Sequence, residues 1–165
     1  FSGKKLQYFD PEINQNYVPY VIETSIGLDR MFLSVLVNAY EEQDLSEGDK
    51  KDSRAVLKLH PCLAPVKAAI LPLTKKDGLP EKAREIMDRL KLDFNLVYEE
   101  KDSIGKRYRR QDAIGTPFCI TIDHQSLDDN TVTLRHRDSM RQERVAIDQL
   151  EKMIGELVSW KNLLR

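Results

Sequence analysis

The chain of 165 residues carries 26 basic and 27 acidic side chains, which gives a net charge of -1 and an isoelectric point near 6.4. This length corresponds to one domain, or to one domain with part of a second. The mean hydropathy of -0.51 and the lack of a long apolar run argue against an integral membrane protein. Two isolated cysteines, Cys62 and Cys119, favour neither a disulfide framework nor a zinc site, so we expect a cytoplasmic protein.

The first part of the chain is predicted to contain two strands and a helix. Residues 4–9 and 17–24 are rich in aromatic and β-branched side chains, which favours strands, and Asp10 begins the turn between them. A helix follows from Gly27, and its apolar side chains cover so much of its circumference that we expect it to be buried on most sides. Because these elements cannot form a core by themselves, we interpret them as the end of a larger antiparallel α+β domain.

A polar, acidic segment follows at residues 41–54. It contains six acidic and three basic side chains, and Leu45 is its one aliphatic residue. This composition is typical of a solvated linker, because such a segment has little apolar surface to bury. We therefore predict a domain boundary here, with residues 1–53 as one domain and residues 54–165 as the next.

The rest of the chain alternates between apolar runs and helical patterns. Strands are predicted at residues 66–73, 94–98, 117–122, 131–135 and 145–147, and helices at residues 80–90, 104–113 and 150–158. A helix between consecutive strands makes the first three strands parallel, and a turn at residues 128–130 adds a hairpin. The prediction is an α/β fold with a mixed five-stranded sheet, which has a parallel centre and an antiparallel edge and is flanked by helices.

The first candidate site lies around the start of the early helix. Glu23 and Ser25 are two residues apart and would share one face of a strand, while Gly27 permits close approach to the backbone. Arg30 stands in the first turn of the helix. A carboxylate can hold an ammonium group, and an arginine can hold a phosphate or stack on a base. The alternative is a strand end with a capping serine and a salt-bridged arginine.

The second candidate site is a basic segment at residues 101–112. It carries five basic and two acidic side chains in an otherwise neutral chain, and Arg107, Tyr108 and Arg110 stand close together in it. Contact with phosphates and stacking on bases need this mixture of cations and an aromatic ring. The alternative is a solvated helix face with pairs between neighbouring turns.

The third candidate site is an arginine-rich segment at residues 133–144. It contains four arginines and one histidine, and Arg135 and Arg137 would share one face of a strand. These arginines could contact RNA together with the second segment. The alternative is an exposed edge strand that charge keeps soluble.

Four stretches together resemble class II aminoacyl-tRNA synthetases. Motif 3 of these enzymes, in the form found in dimeric glycyl-tRNA synthetases, resembles residues 21–30 (VIETSIGLDR). The opening strand of the anticodon-binding domain shared by the glycyl, histidyl, threonyl and prolyl enzymes is similar to residues 63–73 (LAPVKAAILPL). Two further stretches resemble the glycyl enzymes in particular, namely residues 102–118 (DSIGKRYRRQDAIGTPF) and 133–142 (TLRHRDSMRQ).

This resemblance implies a glycine–tRNA ligase that is a homodimer and that uses ATP, with Mg²⁺, to form glycyl-adenylate before it charges glycine tRNA. Arg30 would hold ATP, while Glu23, Ser25 and Gly27 would form the glycine site. Thr24 departs from the proline that is common at its position. Motifs 1 and 2 are absent, so the chain would be a C-terminal fragment with an antiparallel remnant of the catalytic domain and a complete anticodon-binding domain. We expect it to be inactive by itself.

The resemblance also assigns a role to the basic segments. Arg107, Tyr108, Arg110, Arg135 and Arg137 are expected to form or border the anticodon surface, because unstacked bases suit arginine planes, an aromatic ring and hydrogen bonds to base edges. Two other classes stay open. A free-standing anticodon-like RNA-binding module is disfavoured by the motif 3 stretch, and a complete nucleotide-binding enzyme is disfavoured by the lack of a phosphate loop.

Overall fold

The computed structural model describes residues 3–46, 48 and 51–164. Its contacts divide the chain into two compact units, residues 1–32 and 33–165. The division therefore falls inside helix α1 (Leu28–Ala39), whereas the composition predicts it at the acidic segment. The difference arises because residues 41–44 and 53–54 of that acidic segment form strands of the second unit, while residues 47, 49 and 50 lie outside the described part of the chain.

The first unit contains a short antiparallel pair of strands. Strand β1 (Tyr8–Asp10) pairs with β2 (Gln15–Tyr17), and the rings of Tyr8 and Tyr17 meet edge to face with centroids 5.8 Å apart. Residues 18–27 form no regular element, so the prediction of a strand at residues 17–24 is wrong. Aromatic and β-branched side chains favour a strand, but a strand also needs a partner for its backbone.

Helix α1 begins one residue after Gly27, close to the predicted start, but it is not buried. Leu28 and Phe32 are 82% and 64% exposed, and Val37 is exposed as well. The prediction of a helix buried on most sides is therefore wrong for this chain. Apolar periodicity shows which side chains could be buried, but it does not show that the chain supplies a surface to cover them.

The second unit opens with strands where the sequence predicts a linker. Strand β3 (Tyr40–Asp44) follows α1 directly and pairs with β4 (Ser53–Leu57) in an antiparallel sheet. Arg54 and Val56, two residues apart on β4, are 1% and 0% exposed, while Ser53 and Ala55 face solvent. The linker prediction fails because alternate residues of a strand face opposite sides, and one side of β4 is covered.

A mixed five-stranded sheet forms the centre of the second unit and confirms the predicted fold. Its strands are β5 (Ala68–Pro72), β6 (Leu96–Tyr98), β7 (Phe118–Ile122), β8 (Thr131–His136) and β9 (Gln142–Ala146). Their order is β6-β5-β7-β8-β9, with the first three parallel and the last two antiparallel. Every residue of β5 and β7 is buried, as expected for strands covered on both faces.

Five helices follow in chain order. They are α2 (Leu79–Leu90), α3 (Ile104–Ile114), α4 (His124–Asp129), α5 (Leu150–Val158) and α6 (Trp160–Leu163). Helix α4 was not predicted, and its end overlaps the turn predicted at residues 128–130. Asp123 caps it, since this carboxylate accepts the backbone N–H of Ser126 at 3.1 Å and the Ser126 hydroxyl accepts the Asp123 N–H at 3.1 Å. Among the described residues, no helix is long and apolar enough to cross a membrane.

The helices cover the two faces of the sheet separately. Helices α2 and α5 pack over the face that carries Ala68 and Ile70, in the larger core. Helix α3 packs over the opposite face, which carries Ala69, Leu71 and Cys119. Cys119 is 1% exposed in this core, and burial raises the pKa of its thiol to about 12.

Gly115 ends α3 in a left-handed conformation with φ of 86°. A Cβ at this position would lie 3.0 Å from the carbonyl oxygen of Leu57 and 3.3 Å from Leu59 Cδ1. We expect Gly115→Ala to lower the free energy of unfolding by about 1–3 kcal/mol, because it adds backbone strain and a contact that rigid backbone cannot relieve.

Gly105 on the same helix is the matched control for that measurement by urea unfolding. A Cβ there would meet nothing within 4 Å. Gly105→Ala should leave stability unchanged or raise it by up to about 1 kcal/mol. Equal stability of the two alanine variants would contradict the close approach at Gly115.

Candidate nucleic-acid interface

Helix α3 carries the basic segment and divides it between the interior and solvent. The helix starts after Ser103 and ends at Gly115, as predicted. Ile104 and Tyr108, four residues apart, pack on the sheet, while Lys106 faces solvent on the other side. Only part of the basic segment is therefore available to a ligand.

Arg107 lies inside the protein, 2% exposed. Its Nη1 donates to the carbonyl oxygens of Pro72 at 2.7 Å and Glu99 at 3.1 Å, and its Nη2 donates to that of Leu73 at 3.2 Å. Burial lowers the pKa of this guanidinium. Its two Nη groups thus join the ends of β5 and β6, while the buried Nε has no hydrogen-bond partner. Arg107 is therefore not an exposed cation, and its place at the border of the anticodon surface stays a prediction.

Arg135 is also internal, at 5% exposure. Its Nη1 and Nη2 donate to the two carboxylate oxygens of Asp112 at 2.8 and 2.9 Å. The guanidinium carbon lies 4.6 Å from the ring centroid of Tyr108, whose hydroxyl is 2.7 Å from Thr121 Oγ1. Burial raises the pKa of Tyr108. Arg135 thus contacts two side chains of α3 and is not exposed, and its place at the border of the anticodon surface stays a prediction.

Arg137 follows β8 and is 2% exposed. It donates to the carbonyl oxygens of Gly115 at 2.8 Å and Leu59 at 2.7 Å, and its Nε donates to Asp138 Oδ1 at 2.7 Å. Arg137 is therefore not exposed either, and its place at the border of the anticodon surface stays a prediction. The predicted shared face of Arg135 and Arg137 lies towards the interior, because it meets Asp112 of α3 and the Gly115 carbonyl at the end of that helix. Strand β8 also runs between β7 and β9, so the alternative of an edge strand is wrong.

Arg110 is the predicted arginine that faces solvent, with a side chain 42% exposed. It donates to Asp102 Oδ2 at 2.9 Å and to the Lys101 carbonyl at 2.8 Å, and its Nη2 lies 2.5 Å from Glu99 Oε1. Arg110 lowers the pKa of the Asp102 carboxyl group. These contacts hold Arg110 beside the loop that follows β6.

The loops after β5 and β6, residues 73–78 and 99–103, meet with the first two turns of α3, and we call this surface the β5–β6 edge. Helix α2, which follows β5, lies on one face of the sheet, and α3, which follows β6, lies on the other. The loops after β5 and β6 therefore lead to opposite faces of the sheet. They diverge at the carboxyl ends of adjacent parallel strands, which is where ligands bind in open α/β sheets.

Cations and carboxylates are mixed at the β5–β6 edge. Its exposed cations are Lys75, Lys76, Lys101, Lys106 and Arg110. Glu99 and Glu100 are half-buried among them, and Tyr98 at the end of β6 donates to Glu100 Oε2 at 2.5 Å. Burial and the hydrogen bond to Glu100 raise the pKa of Tyr98 to about 12. Lys75 and Lys76 were not predicted as site residues from the sequence. The signal was present, because the loops that follow two adjacent parallel strands lie at the same edge of the sheet.

The residues of the first candidate site lie in the first unit. Glu23, Ser25 and Gly27 are exposed in the segment without regular structure, so Glu23 and Ser25 do not share a strand face. The carbonyl of Gly27 accepts the N–H of Met31 at 3.0 Å, and Arg30 stands in the first turn of α1, as predicted. Their roles towards substrate stay predictions.

The described part of the chain contains no group of three or more His, Cys, Asp or Glu side chains that could hold a metal ion. His60 and Cys62 form a pair of such side chains, with His60 Nδ1 3.0 Å from Cys62 Sγ. Two ligands fall short of the four that a structural zinc ion takes.

Two solved structures share the fold. Prolyl-tRNA synthetase from Cryptosporidium parvum, complexed with halofuginone and AMPPNP, aligns with 62% of this chain and 22% of its own at a TM-score of 0.57 and 22% identity. The RNA binding domain of threonyl-tRNA synthetase from Cryptosporidium parvum Iowa II aligns with 61% of this chain and 25% of its own at a TM-score of 0.55 and 25% identity. Both alignments leave more than a third of this chain uncovered.

Sequence comparison finds longer relatives. Glycine–tRNA ligase of Clostridium tetani (strain Massachusetts / E88) is 58% identical over 96% of this chain, and that of Alkaliphilus metalliredigens (strain QYMF) is 55% identical over 96%. The chain spans about a third of the length of these curated relatives, 33% in both cases. The family model described as "Anticodon binding domain" matches residues 67–157, more than half of the chain. The chain therefore belongs to the anticodon binding domain family.

Proposed function

We propose that this chain is the tRNA-binding part of a longer glycine–tRNA ligase, which uses ATP to charge glycine tRNA. The observation that carries the proposal is the 58% identity to a glycine–tRNA ligase over 96% of the chain. Because the relatives extend well beyond the matched part, most of the catalytic machinery would belong to sequence outside these 165 residues. The same difference in length favours the ligase over a free-standing RNA-binding module.

Exposed apolar side chains in the first unit support this proposal. Tyr20, Ile22 and Leu28 are almost fully exposed, and other apolar residues near them are exposed as well. So many large apolar side chains exposed within one short stretch of chain are typical of a surface that packs against another part of a protein. In the ligase, the remainder of the catalytic domain would cover it.

The four residues of the first candidate site would then serve the substrates. The Glu23 carboxylate would hold the ammonium group of glycine, with Ser25 and Gly27 limiting the space beside it, and the Arg30 guanidinium would hold ATP. The ligase is expected to be a cytoplasmic homodimer. Mg²⁺ would accompany ATP, since it usually binds through phosphates with one or two carboxylates rather than in a protein cage.

The β5–β6 edge is the proposed anticodon surface. Its lysines would neutralise phosphates, and Glu99 and Glu100 could accept hydrogen bonds from the amino groups of bases. Arg110 would contact a base or a phosphate beside them. Arg107 would support this surface without contacting the RNA, because it binds the ends of both β5 and β6 from the interior. This mixture of charges explains how a chain with a net charge of -1 could bind RNA.

The proposal is tested by binding of a glycine-tRNA anticodon stem-loop, and of one with altered anticodon bases, at two salt concentrations. If Arg110 contacts a base, Arg110→Ala should reduce discrimination between the two stem-loops by about 1–3 kcal/mol. If Lys101 and Lys106 contact phosphates, the double alanine variant should weaken both equally and reduce the salt slope by about 0.7 per contact.

Lys152→Ala is the matched control, since it removes an exposed cation from α5 on the opposite face of the sheet. This variant should bind like the wild type. Unchanged binding by the triple variant of Arg110, Lys101 and Lys106 would move the anticodon surface away from the β5–β6 edge. Tight binding of the altered stem-loop by the wild type would contradict anticodon recognition itself.

A further inference from the structure

A buried cluster of opposite charges connects three elements of the second unit. Asp112 of α3 is 0% exposed and lies between Arg54 of β4 and Arg135 of β8. Arg135 binds both carboxylate oxygens, and Arg54 Nη1 donates to Oδ2 at 3.1 Å. The Asp112 carboxylate thus connects β4, which precedes α3 in the sequence, to β8, which follows it.

Arg54 also makes the contacts that hold its own strand pair. Its Nε donates to Gln43 Oε1 on β3 at 2.9 Å, and its Nη1 donates to the Arg137 carbonyl at 3.0 Å. A single side chain therefore contacts β3, α3 and the end of β8. Since its head group is 1% exposed, these contacts are shielded from solvent and salt.

In the sequence, the β3–β4 pair comes after α1 and before the residues that match the anticodon binding domain. Strand β3 starts at the residue after α1 ends, and the family match begins at residue 67, after β4. A second contact holds the same pair, from Arg109 Nη2 to Asp52 Oδ2 at 2.6 Å, but both of these side chains are partly exposed. Arg54 is the buried contact of the two.

We propose that Arg54 is a positioning residue for tRNA charging, which fixes the β3–β4 pair on the anticodon-binding sheet through Asp112. The inference rests on the proposed function, in which a tRNA reaches this domain and the catalytic domain at once. Two linked contacts bind tightly only when their geometry permits both together. A loosened β3–β4 pair would leave each contact intact and weaken their combination.

Folding and positioning can be separated at this residue. Without Arg54, Asp112 keeps both hydrogen bonds to Arg135, so no buried carboxylate is left without a partner. Gln43 keeps the hydrogen bond from its Nε2 to Glu41 Oε1 at 2.8 Å, while its Oε1 and the Arg137 carbonyl, both uncharged, lose the donors that Arg54 supplies. Methionine can fill much of the space of the arginine stem. Arg54→Met is therefore expected to fold while it releases the link between β4 and α3.

The test uses the full-length ligase with Arg54→Met and three assays. Glycine-dependent pyrophosphate exchange and binding of the isolated anticodon stem-loop should stay within about twofold of the wild type, while kcat/KM for intact tRNA should fall by about tenfold or more. Arg54→Lys keeps the charge but loses the planar guanidinium. Its kcat/KM for intact tRNA should lie between those of the wild type and Arg54→Met. Arg89→Met, which breaks an exposed pair with Asp148, should match the wild type in all three assays.

Normal charging of intact tRNA by Arg54→Met would overturn the inference, and so would a parallel loss of stem-loop binding, since that indicates local damage to the domain. If Arg54→Met does not fold, the lysine variant decides: wild-type charging by Arg54→Lys overturns the inference, and a selective loss supports it. A wild-type ligase that charges no glycine would instead overturn the proposed function, before any variant is compared.

Discussion

Asp112→Asn should lower the free energy of unfolding by about 3–5 kcal/mol, the cost expected when one partner of a buried ion pair is removed. Asparagine keeps the shape of aspartate but not its charge, so Arg54 and Arg135 would stay buried without their shared counter-charge. A loss of this size is a large part of the 5–15 kcal/mol that stabilises a typical domain. Urea unfolding of the chain measures it directly.

Asp148→Asn is the matched control. Asp148 also accepts a hydrogen bond from an arginine, since Arg89 Nη1 donates to its Oδ1 at 2.7 Å, but this pair is exposed to solvent. Its side chain is 86% exposed, and we expect no measurable change in stability. A similar loss for both asparagine variants would show that burial of the Asp112 pair does not determine its contribution. Wild-type stability of Asp112→Asn would remove the basis for a central role of this cluster.

Arg30→Ala in the full-length ligase is expected to slow glycyl-adenylate formation by about 30- to 1,000-fold, which corresponds to about 2–4 kcal/mol of lost transition-state stabilisation. The substitution would remove a charge-assisted contact to the phosphates or a stack on the adenine ring. Glycine-dependent pyrophosphate exchange measures this step without tRNA. Binding of the anticodon stem-loop should not change, since Arg30 lies in the first unit.

Glu23→Gln provides the comparison at the same candidate site. It removes the charge that would face the ammonium group, so the KM for glycine should rise more than kcat falls. Unchanged glycine kinetics would assign Glu23 a structural role instead. The 165-residue chain by itself should show no exchange, and exchange by it would contradict the assignment of the remaining machinery to a longer protein.

Local pattern was enough for the elements of the central sheet. The apolar run before Pro72 predicted β5, and Ser103 and Gly115 marked both ends of α3. These signals act over a few residues, through side-chain periodicity and through the left-handed conformation that a helix end requires. The same kind of signal failed at residues 41–54, because a polar composition does not show which face of β4 is covered.

The basic segments show the limit more clearly. Their charge was evident from the sequence, and so was the shared strand face of Arg135 and Arg137. Whether that face meets solvent or protein depended on α3, which packs over β8 only in the folded chain. Arg110, one turn from Arg107, stays in solvent, although both have the same side chain and the same local composition.

Composition, periodicity and motif resemblance by themselves determined the fold class, the parallel centre of the sheet and the relation to tRNA synthetases. The tertiary structure alone decided which arginines are buried against protein and which face solvent. Asp112 meets Arg54 across 58 residues of sequence and Arg135 across 23. A buried guanidinium needs a partner for its charge, and partners at such separations are brought together by packing, which no local pattern records.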